Sequence, residues 1–398
     1  MRRVVEVVVA IAGLVTVLGV SGPVKAQVSF THLTPAVPNQ PSFAHGISAD
    51  GSTVVGQSGY HTPFATNEQP VSWSLAPQIL PDLREPDPFG PRGSVFAASA
   101  DGSVLVGEGL NPFSVQFQGI KWTNGVAAPL PPAPGVPFDG TIGRAVSANG
   151  QITVGFSYQD SSGYRAHRWN GTTPTVIAGA PGYSFSEATG VSADGVIVAG
   201  FSFANPTAGS YGVGWTSVNG QTTLLQTPAG GAGVWISGIA GDGSTVFGQV
   251  NMGSLAEGNE WVAAIWRDGV PTLLPLPSGP YPEAFAMAAS FDGSEVVGRL
   301  SGGPLGPETA FLWDATHGMR NISDILEAGG VNLAGLNLYE ANGISADGHT
   351  IAGTARDANG AWSTWVAVVP SPGTIVLVLI VPMFVRTKRP ILQISPGP

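Results

Sequence analysis

The sequence contains no cysteine, which excludes disulfide bonds, thiolate metal ligands and a thiol nucleophile. Charged side chains are also scarce, at 11% of 398 residues. Residues 27–369 contain 10 basic and 25 acidic side chains, and Lys121 is the only lysine among them. A net charge of about −15 repels phosphate backbones and anionic lipid surfaces, so nucleic acid is not an expected partner.

Amphipathic helical patterns are rare, whereas 56 Gly and 34 Pro separate many short apolar segments. This composition favours an all-β chain. No charge run or low-complexity linker divides the middle of the sequence. We therefore expect one repeat-built domain over residues 27–369, a signal peptide over residues 1–26 and a C-terminal sorting or anchor segment over residues 370–398.

The first 26 residues have the form of a secretory signal peptide. Arg2 and Arg3 precede a mostly apolar stretch, and a small-x-small site predicts cleavage between Ala26 and Gln27. An uncleaved membrane anchor is the alternative, because the apolar stretch is close to the shortest length that spans a bilayer. The Ser-Gly-Pro that follows the stretch favours export through the cleaved form.

The C-terminal segment carries a second targeting pattern, a short apolar run over residues 375–385 that is followed by a basic cluster. Its defining residues are Pro370, Pro372, Arg386, Lys388 and Arg389. The pattern resembles the PEP-CTERM sorting signal of bacteria, with Ser371 at the acidic position of the tripeptide. The resemblance implies recognition by a membrane-bound exosortase. A plain C-terminal anchor is the alternative, and in both cases only the termini contact the membrane.

One phrase recurs seven times. "GISADGSTVVG" at residues 46–56 returns as "AASADGSVLVG" at 97–107 and as "GISADGHTIAG" at 343–353. The mean spacing is about 49.5 residues, which is typical of propeller blades and solenoid coils. Each turn dipeptide predicts a two-residue hairpin in which Asp or Asn adopts positive φ. The dipeptides are Asp50-Gly51, Asp101-Gly102, Asn149-Gly150, Asp194-Gly195, Asp242-Gly243, Asp292-Gly293 and Asp347-Gly348.

Three further positions recur in every unit. A small residue stands four positions before the turn, at Gly46, Ala97, Ala145, Gly190, Gly238, Ala288 and Gly343. A glycine follows the turn, at Gly56, Gly107, Gly155, Gly200, Gly248, Gly298 and Gly353. A tryptophan comes next, at Trp73, Trp122, Trp169, Trp215, Trp266, Trp313 and Trp365. The small residues predict close packing near an axis. The glycines predict a bulge or a crowded neighbour in the strand. The tryptophans are predicted to form a core between sheets rather than to bind sugars.

Each unit contains four short apolar segments, so seven units predict a seven-bladed β-propeller of about 49-residue, four-stranded repeats. The segment around Trp365 is a third strand with no fourth strand after it, whereas residues 28–35 precede the first unit with a strand pattern. We therefore predict that the N-terminal strand completes the seventh blade and closes the ring. An open β-solenoid is the alternative.

The repeat also resembles a known family. Its clearest copies, residues 344–353 and Ala310 to Trp313, resemble the extracellular HAF-repeat proteins of bacteria, and the resemblance covers nearly all of residues 28–369. Thr309 in the sixth unit and Arg165 in the third occupy the position of the family's eponymous histidine. The resemblance implies an exported, repeat-built β protein and bears on location and fold rather than on activity.

Sequence motifs for catalysis are absent: there is no G-x-S-x-G, H-E-x-x-H, P-loop or dinucleotide fingerprint. The six histidines never stand at metal-ligand spacing, and His45 and His349 are interpreted as isolated surface or turn residues. One turn aspartate per blade cannot supply the six to eight oxygens of a calcium site. We therefore expect neither a metal nor a cofactor.

Interruptions of the repeat are the better candidate sites, because loops on a rigid scaffold are free to vary. They are the insertions that begin at Arg84 and Asn251 and the cluster of Arg165, His167 and Arg168. For each of them, an ordinary loop is a better prediction than a functional site.

Two functional hypotheses remain. The favoured one is an exported, surface-associated, non-catalytic protein with a structural or binding role, whose partners would be extracellular polysaccharide or surface proteins. The alternative is a glycosidase or lyase that acts on polysaccharide, which needs two carboxylates facing one cleft. Acids outside the repeat pattern are Glu85, Asp87, Glu257, Glu260 and Glu308, and the sequence brings no two of them together.

Overall fold

The computed structural model describes residues 28–59, 61–62, 65–66, 68–74, 76–83, 91–111, 116–135, 140–159, 163–204, 212–253, 260–303 and 306–369. The predicted cleavage site and the predicted sorting segment lie outside the described residues. These are Ala26, Gln27, Pro370, Pro372, Arg386, Lys388 and Arg389.

Seven four-stranded antiparallel sheets form the blades of a β-propeller, as predicted. The first strands of the seven units contact one another all the way round the ring, so they are the innermost strands. The later strands of each unit follow outward in chain order. Clusters of buried apolar residues pack between adjacent blades, for example between Phe201 of one blade and Ile236 and Trp266 of the next.

The strand bounds are as follows. Before the first blade lies β1 (Ser29–His32). Blade 1 contains β2 (Ser42–Ile47), β3 (Val54–Ser58), β6 (Gln69–Trp73) and β7 (Pro77–Ile79), with the small hairpin β4 (His61–Thr62) and β5 (Ala65–Thr66) between its second and third strands. Blade 2 contains β8 (Gly93–Ala98), β9 (Val104–Leu110), β10 (Phe117–Thr123) and β11 (Val126–Pro129). Blade 3 contains β12 (Gly140–Val146), β13 (Ile152–Gln159), β14 (Gly163–Asn170) and β15 (Thr173–Val176).

Blade 4 contains β16 (Phe185–Val191), β17 (Ile197–Phe203), β18 (Val213–Val218) and β19 (Gln221–Leu224). Blade 5 contains β20 (Gly233–Ile239), β21 (Thr245–Asn251), β22 (Trp261–Arg267) and β23 (Val270–Leu273). Blade 6 contains β24 (Glu283–Ala289), β25 (Glu295–Ser301), β26 (Glu308–Asp314) and β27 (Gly318–Asn321). Blade 7 contains β28 (Asn337–Ile344), β29 (Thr350–Arg356), β30 (Trp362–Val368) and the returning β1.

One helix occurs in the described part of the chain, α1 (Ile322–Ala328), which follows β27 and buries Ile322 and Leu326. No helix among the described residues is long and apolar enough to cross a membrane.

The ring closes between the two ends of the domain, as predicted. β1 pairs antiparallel with β30, with Ser29 opposite Val368 and His32 opposite Trp365. The Phe30 ring stacks on the Trp365 ring at 6.2 Å. The N-terminal strand is therefore the fourth strand of the seventh blade.

The turn after each inner strand differs from the predicted hairpin. In blade 1 the loop runs from Ser48 to Thr53, and the Gly51 N–H donates to the Ser48 carbonyl at 2.9 Å. The Ser48 hydroxyl donates to Asp50 Oδ1 at 2.6 Å and accepts from the Thr53 N–H at 2.9 Å. Only the glycine has positive φ, at 65–78° in the seven turns. The two-residue prediction was wrong, because the loop is longer. In six of the seven turns a serine side chain caps it together with the Asp or Asn, and blade 5 forms the same backbone bonds with Ala240 at the serine position.

Each turn also bonds to the turn of the next blade. The carbonyl of the residue before Asp or Asn accepts a backbone N–H from the preceding blade at 2.7–3.0 Å, and the seventh turn returns to the first. The acceptors in ring order are Ala100, Ala148, Ala193, Gly241, Phe291, Ala346 and Ala49. This closed ring of seven hydrogen bonds explains why the phrase recurs in every unit.

The recurring small residues and glycines fit the crowding round the axis. Each inner strand has a β-bulge directly before the small residue, and a Cβ on Gly343 would come within 2.8 Å of the Ile47 nitrogen of the next blade. A Cβ on any of the seven second-strand glycines would lie 1.9–2.1 Å from an inner-strand carbonyl oxygen. The predicted close packing near the axis and the predicted crowded neighbour of the second-strand glycines are confirmed, whereas the bulge lies on the inner strand and not at those glycines.

The seven recurring tryptophans are buried, as predicted, with at most 7% of their surface exposed. Four of them also join neighbouring blades through the indole N–H, which donates to a carbonyl just beyond the outer strand of the preceding blade. These bonds run from Trp73 to Thr34, from Trp122 to Pro81, from Trp169 to Pro131 and from Trp266 to Gln226, at 2.6–2.9 Å.

Because the natural sequence has no cysteine, one engineered disulfide can test the ring closure. We expect the double variant Ser29→Cys and Val368→Cys to form a disulfide across β1 and β30, and to raise the free energy of unfolding by about 2–4 kcal/mol. Denaturant unfolding with and without reductant measures the gain, and each single variant is a control. Two free thiols in the folded double variant would contradict the closure.

The second-strand glycines allow a matched pair of substitutions. Gly107→Ala places a Cβ 2.0 Å from the Ser94 carbonyl oxygen, and we expect it to lower the free energy of unfolding by about 3 kcal/mol. Gly135→Ala meets no atom within 4 Å, and its positive φ alone should cost about 1 kcal/mol. Equal losses in denaturant unfolding would contradict the crowding argument.

Candidate functional site

The central channel holds a cavity of about 500 Å³ lined by the inner strands of all seven blades. The bulged residue of each inner strand, which has no partner in the ladder, lines this cavity. These seven residues are His45, Phe96, Arg144, Thr189, Ser237, Met287 and Asn342. No two are the same residue type, although the residue that follows each of them is always Gly or Ala. The bulge thus presents a different side chain from each blade to one shared space.

A second cavity, of about 610 Å³, forms a groove beside the channel between the inner and second strands of blades 3 to 5. Six aromatic side chains line it, namely Phe156, Tyr158, Tyr164, Phe201, Phe203 and Trp235. Arg144, Glu187 and Trp235 line both the groove and the channel. We call these three residues the junction site.

Trp235 is the exposed aromatic surface of the junction site. It lies on β20 with 48% of its surface accessible, in contrast to the seven recurring tryptophans. Its ring packs against Phe201 at 4.6 Å, which holds one part of the indole and leaves another part open to the cavities. An aromatic ring that is fixed and accessible in this way suits stacking on a ligand ring.

Arg144 is the cation of the junction site. Its guanidinium carbon lies 4.8 Å from the centre of the Phe96 ring and 5.5 Å from that of Phe156. Among the described residues it has no hydrogen bond or ion pair. The aromatic contacts orient the guanidinium without using its N–H donors.

Glu187 is the acid of the junction site. It lies on β16 with 8% of its surface exposed, and its carboxyl group has no hydrogen bond to a described residue. Burial raises its pKa to about 7, against a smaller opposite effect of the Arg144 charge. The group therefore changes its protonation state in the neutral pH range.

His45 lies in the channel, so its interpretation as a surface or turn residue was wrong. It is the bulged residue of β2; its ring stacks on Phe96 at 5.3 Å, and Nδ1 is 3.0 Å from the Val95 carbonyl oxygen. Burial lowers its pKa to about 4, so the ring is neutral at pH 7. Because the carbonyl only accepts, Nδ1 carries the proton and Nε2 is the free acceptor. His349 lies in a turn, as interpreted.

The predicted cluster of Arg165, His167 and Arg168 lies on β14 and not in a loop. His167 is fully buried, its Nε2 accepts the Ala133 N–H at 3.0 Å, and its ring stacks on Trp169 at 5.3 Å. Arg168 and Arg165 donate to the carbonyls of Gly195 and Ser184. Their contacts join neighbouring segments and bring none of the three to the junction site. Most of the insertions after Arg84 and Asn251 lies outside the described residues.

The acids considered for catalysis do not converge on the groove within the described part of the chain. Glu308 forms an ion pair with Arg299 at 2.9 Å, and Glu260 is exposed. Glu85, Asp87 and Glu257 lie outside the described residues. Near Glu308, burial raises the pKa of Glu340, but neither residue lines the two cavities. Of the described residues that do, Glu187 is the only one with a carboxyl group.

The turn aspartates are occupied by hydrogen bonds within their own loops. Asp101, for example, accepts from the hydroxyls of Ser99 and Ser103 and from the Ser103 backbone, and these bonds lower its pKa to about 2. Among the described residues no three His, Asp or Glu side chains come together in a way that could hold a metal ion.

Comparison with protein-family models and with curated proteins finds no match to this sequence. Solved structures do match. TolB from Acinetobacter baumannii is 13% identical with a TM-score of 0.43, over 68% of this chain and 63% of that chain. Kuenenia stuttgartiensis hydrazine synthase is 11% identical with a TM-score of 0.46, over 84% and 97%. A prolyl endopeptidase is 10% identical with a TM-score of 0.47, over 84% and 47%.

The match thus spans less than two thirds of the TolB chain and about half of the endopeptidase chain. At identities of 10–14% these likenesses concern the fold alone.

The raised pKa of Glu187 makes its contribution to stability depend on pH. The folded state holds the proton up to pH of about 7, whereas the ordinary pKa is 4.5. The stability from this group is therefore complete below pH 4.5 and is lost as pH rises through 7. We expect Glu187→Gln to match the parent at pH 4.5 and to exceed its free energy of unfolding at pH 8.5 by on the order of 2 kcal/mol.

Thermal and denaturant unfolding at both pH values measures this difference. Glu260→Gln, at an exposed glutamate, is the matched control and should show the parent's pH dependence. A Glu187→Gln variant that tracks the control at pH 8.5 would contradict the buried, protonated carboxyl group.

Proposed function

We propose that the protein is an exported, surface-associated propeller that binds a glycan, without catalysis, at the junction site. The observation that carries the proposal is the combination of the half-exposed Trp235 ring with two polar groups, Arg144 and Glu187, that have no hydrogen-bond partner among the described residues. Sugar rings present apolar C–H faces and polar hydroxyl edges. A fixed aromatic ring beside unused donors and acceptors suits both surfaces at once.

The shape of the site supports a ligand larger than one sugar ring. The channel and groove have volumes of about 500 and 610 Å³ and share their lining residues at the junction, and cavities of this size accommodate small organic ligands. Besides Trp235, the half-buried aromatic residues Tyr158 and Tyr164 line the groove. An oligosaccharide end can therefore occupy the groove while one of its units reaches the channel.

The location in this proposal rests on the sequence, which carries a signal-peptide pattern at one end and a sorting or anchor pattern at the other. The resemblance to extracellular HAF-repeat proteins supports the same location. A partner outside the cell is then a glycan of the surface or matrix, which agrees with the strong net negative charge that disfavours nucleic acid.

Hydrolysis of the glycan is the weaker candidate function. A carboxyl group with a pKa of about 7, as at Glu187, suits a general acid. Glycosidases of the common type, however, need a second carboxylate within about 10 Å of the first, and the described residues that line the two cavities offer none. We therefore propose binding without hydrolysis. Release of reducing ends from the bound glycan would instead favour an enzyme.

A glycan array followed by calorimetry on residues 27–369 tests the proposal. We expect Trp235→Ala to weaken binding about tenfold or more, because the stacking surface is lost. Phe291→Ala is the matched control, since Phe291 is 47% exposed and lies in a turn at the other end of the inner strands. Equal effects of the two variants, or no bound glycan at all, would contradict a site at Trp235.

A further inference from the structure

We infer that the ligand of the junction site carries an isolated carboxylate, as in an oligosaccharide with one acidic sugar, and that Arg144 selects it. This inference rests on the proposed glycan-binding function and names the ligand class. It is carried by the position and the unused donors of the Arg144 guanidinium, which lies where the channel and the groove meet.

The first step concerns the orientation of Arg144. A guanidinium is a planar fork with five N–H donors, and its flat face stacks on aromatic rings while its edge forms hydrogen bonds. Phe96 and Phe156 lie 4.8 and 5.5 Å from its central carbon and offer no acceptor. A carboxylate that meets the open edge can accept two parallel N–H bonds from the fork, which neutral hydroxyls match less well.

The second step concerns the protein groups that compete for this fork. Arg144 and Glu187 do not form an ion pair, although Arg144 lowers the pKa of Glu187 from the value that burial alone would set. The fork is thus left for a ligand. A protonated Glu187 beside it is a hydrogen-bond donor to the same ligand.

The third step is the charge of the site. The titratable or charged side chains among the described lining residues of both cavities are His45, Arg144, Tyr158, Tyr164 and Glu187. His45 is neutral at pH 7 because burial lowers its pKa to about 4. Arg144 is then the only cation, and its charge is unopposed whenever Glu187 is protonated. Acidic ligands should bind best below the pKa of Glu187.

The fourth step limits the number of charges on the ligand. The domain carries a net charge of about −15, which repels a long polyanion as a whole. One guanidinium neutralises one carboxylate, and further carboxylates within the screening length of roughly 8 Å would meet no second cation among the described lining residues. A single acidic unit within an otherwise neutral oligosaccharide is therefore favoured over a polyuronate.

The test compares two oligosaccharides that differ only in one terminal unit, glucuronic acid or glucose, by calorimetry on residues 27–369 at pH 6. We expect the acidic one to bind about 30-fold more tightly, which corresponds to roughly 2 kcal/mol for a charge-assisted pair of hydrogen bonds. Arg144→Met should abolish this ratio, and Arg144→Lys should restore a small part of it, because lysine keeps the charge but not the fork.

A pH series on the same pair provides a second readout, which does not depend on the folding of the Arg144 variants. Affinity for the acidic ligand should fall about tenfold between pH 5.5 and 8.5. A fall of this size corresponds to a rise of one unit in the pKa of Glu187 when the ligand binds. The neutral ligand should show no such fall, and Glu187→Gln should remove it for the acidic ligand.

The outcomes separate this inference from the proposed function. If both oligosaccharides bind equally and Arg144→Met does not change their ratio, the carboxylate inference is wrong while glycan binding stands. If neither oligosaccharide binds and the glycan array shows no bound glycan, the proposed function is wrong. If a polyuronate binds more tightly per chain end than the singly charged ligand, the restriction to an isolated carboxylate is wrong.

Discussion

Around the axis, each turn receives one backbone N–H from the blade before it, and the seventh acceptor belongs to the first blade. This closed circuit sets how near the inner strands must approach one another. The approach in turn requires small residues at seven positions, because a side chain there would meet the backbone or side chains that pack against it. The recurring sequence pattern reflects that requirement. Separately, β1 closes the ring at the outer edge of blade 7 by pairing with β30.

The same requirement explains which features the sequence could predict. Positions that serve the ring recur in every unit, so the blade number, the four-stranded unit, the buried tryptophans and the N-terminal closure were all readable from spacing. The turn was not, because the Asp-Gly dipeptide is typical of a two-residue hairpin, whereas the loop is closed by backbone bonds of the residue two positions earlier, a serine in six units and Ala240 in blade 5. In blade 1 the hydroxyl of Ser48 adds bonds to Asp50 and to the Thr53 backbone, which cap this longer loop.

The junction site was missed for a related reason. Its residues occupy positions that differ between units, such as the bulged residue at Arg144 and the position two residues before the bulge at Glu187 and Trp235. A single-sequence search for motifs finds residues that recur or cluster along the chain, as with Arg165 to Arg168. A signal was nevertheless present. The residue just before the small residue is of a different type in every unit, whereas the small residue that follows it is always Gly or Ala. This contrast marks a position that the contacts of the ring do not constrain.

Arg144 and Glu187 leave hydrogen-bonding groups without a partner among the described residues, and polar groups of this kind destabilise a protein when they are fully buried. Neither side chain is among the described groups whose polar atoms are both fully buried and unpaired, and both line the two cavities. The regular contacts of the seven blades, through the turn circuit and the tryptophan bonds between sheets, hold these positions in place. A ligand that satisfies Arg144 and Glu187 would then bind to groups that the fold holds in place but does not itself satisfy, so the regularity of the ring is what permits an irregular and unsatisfied site beside its axis.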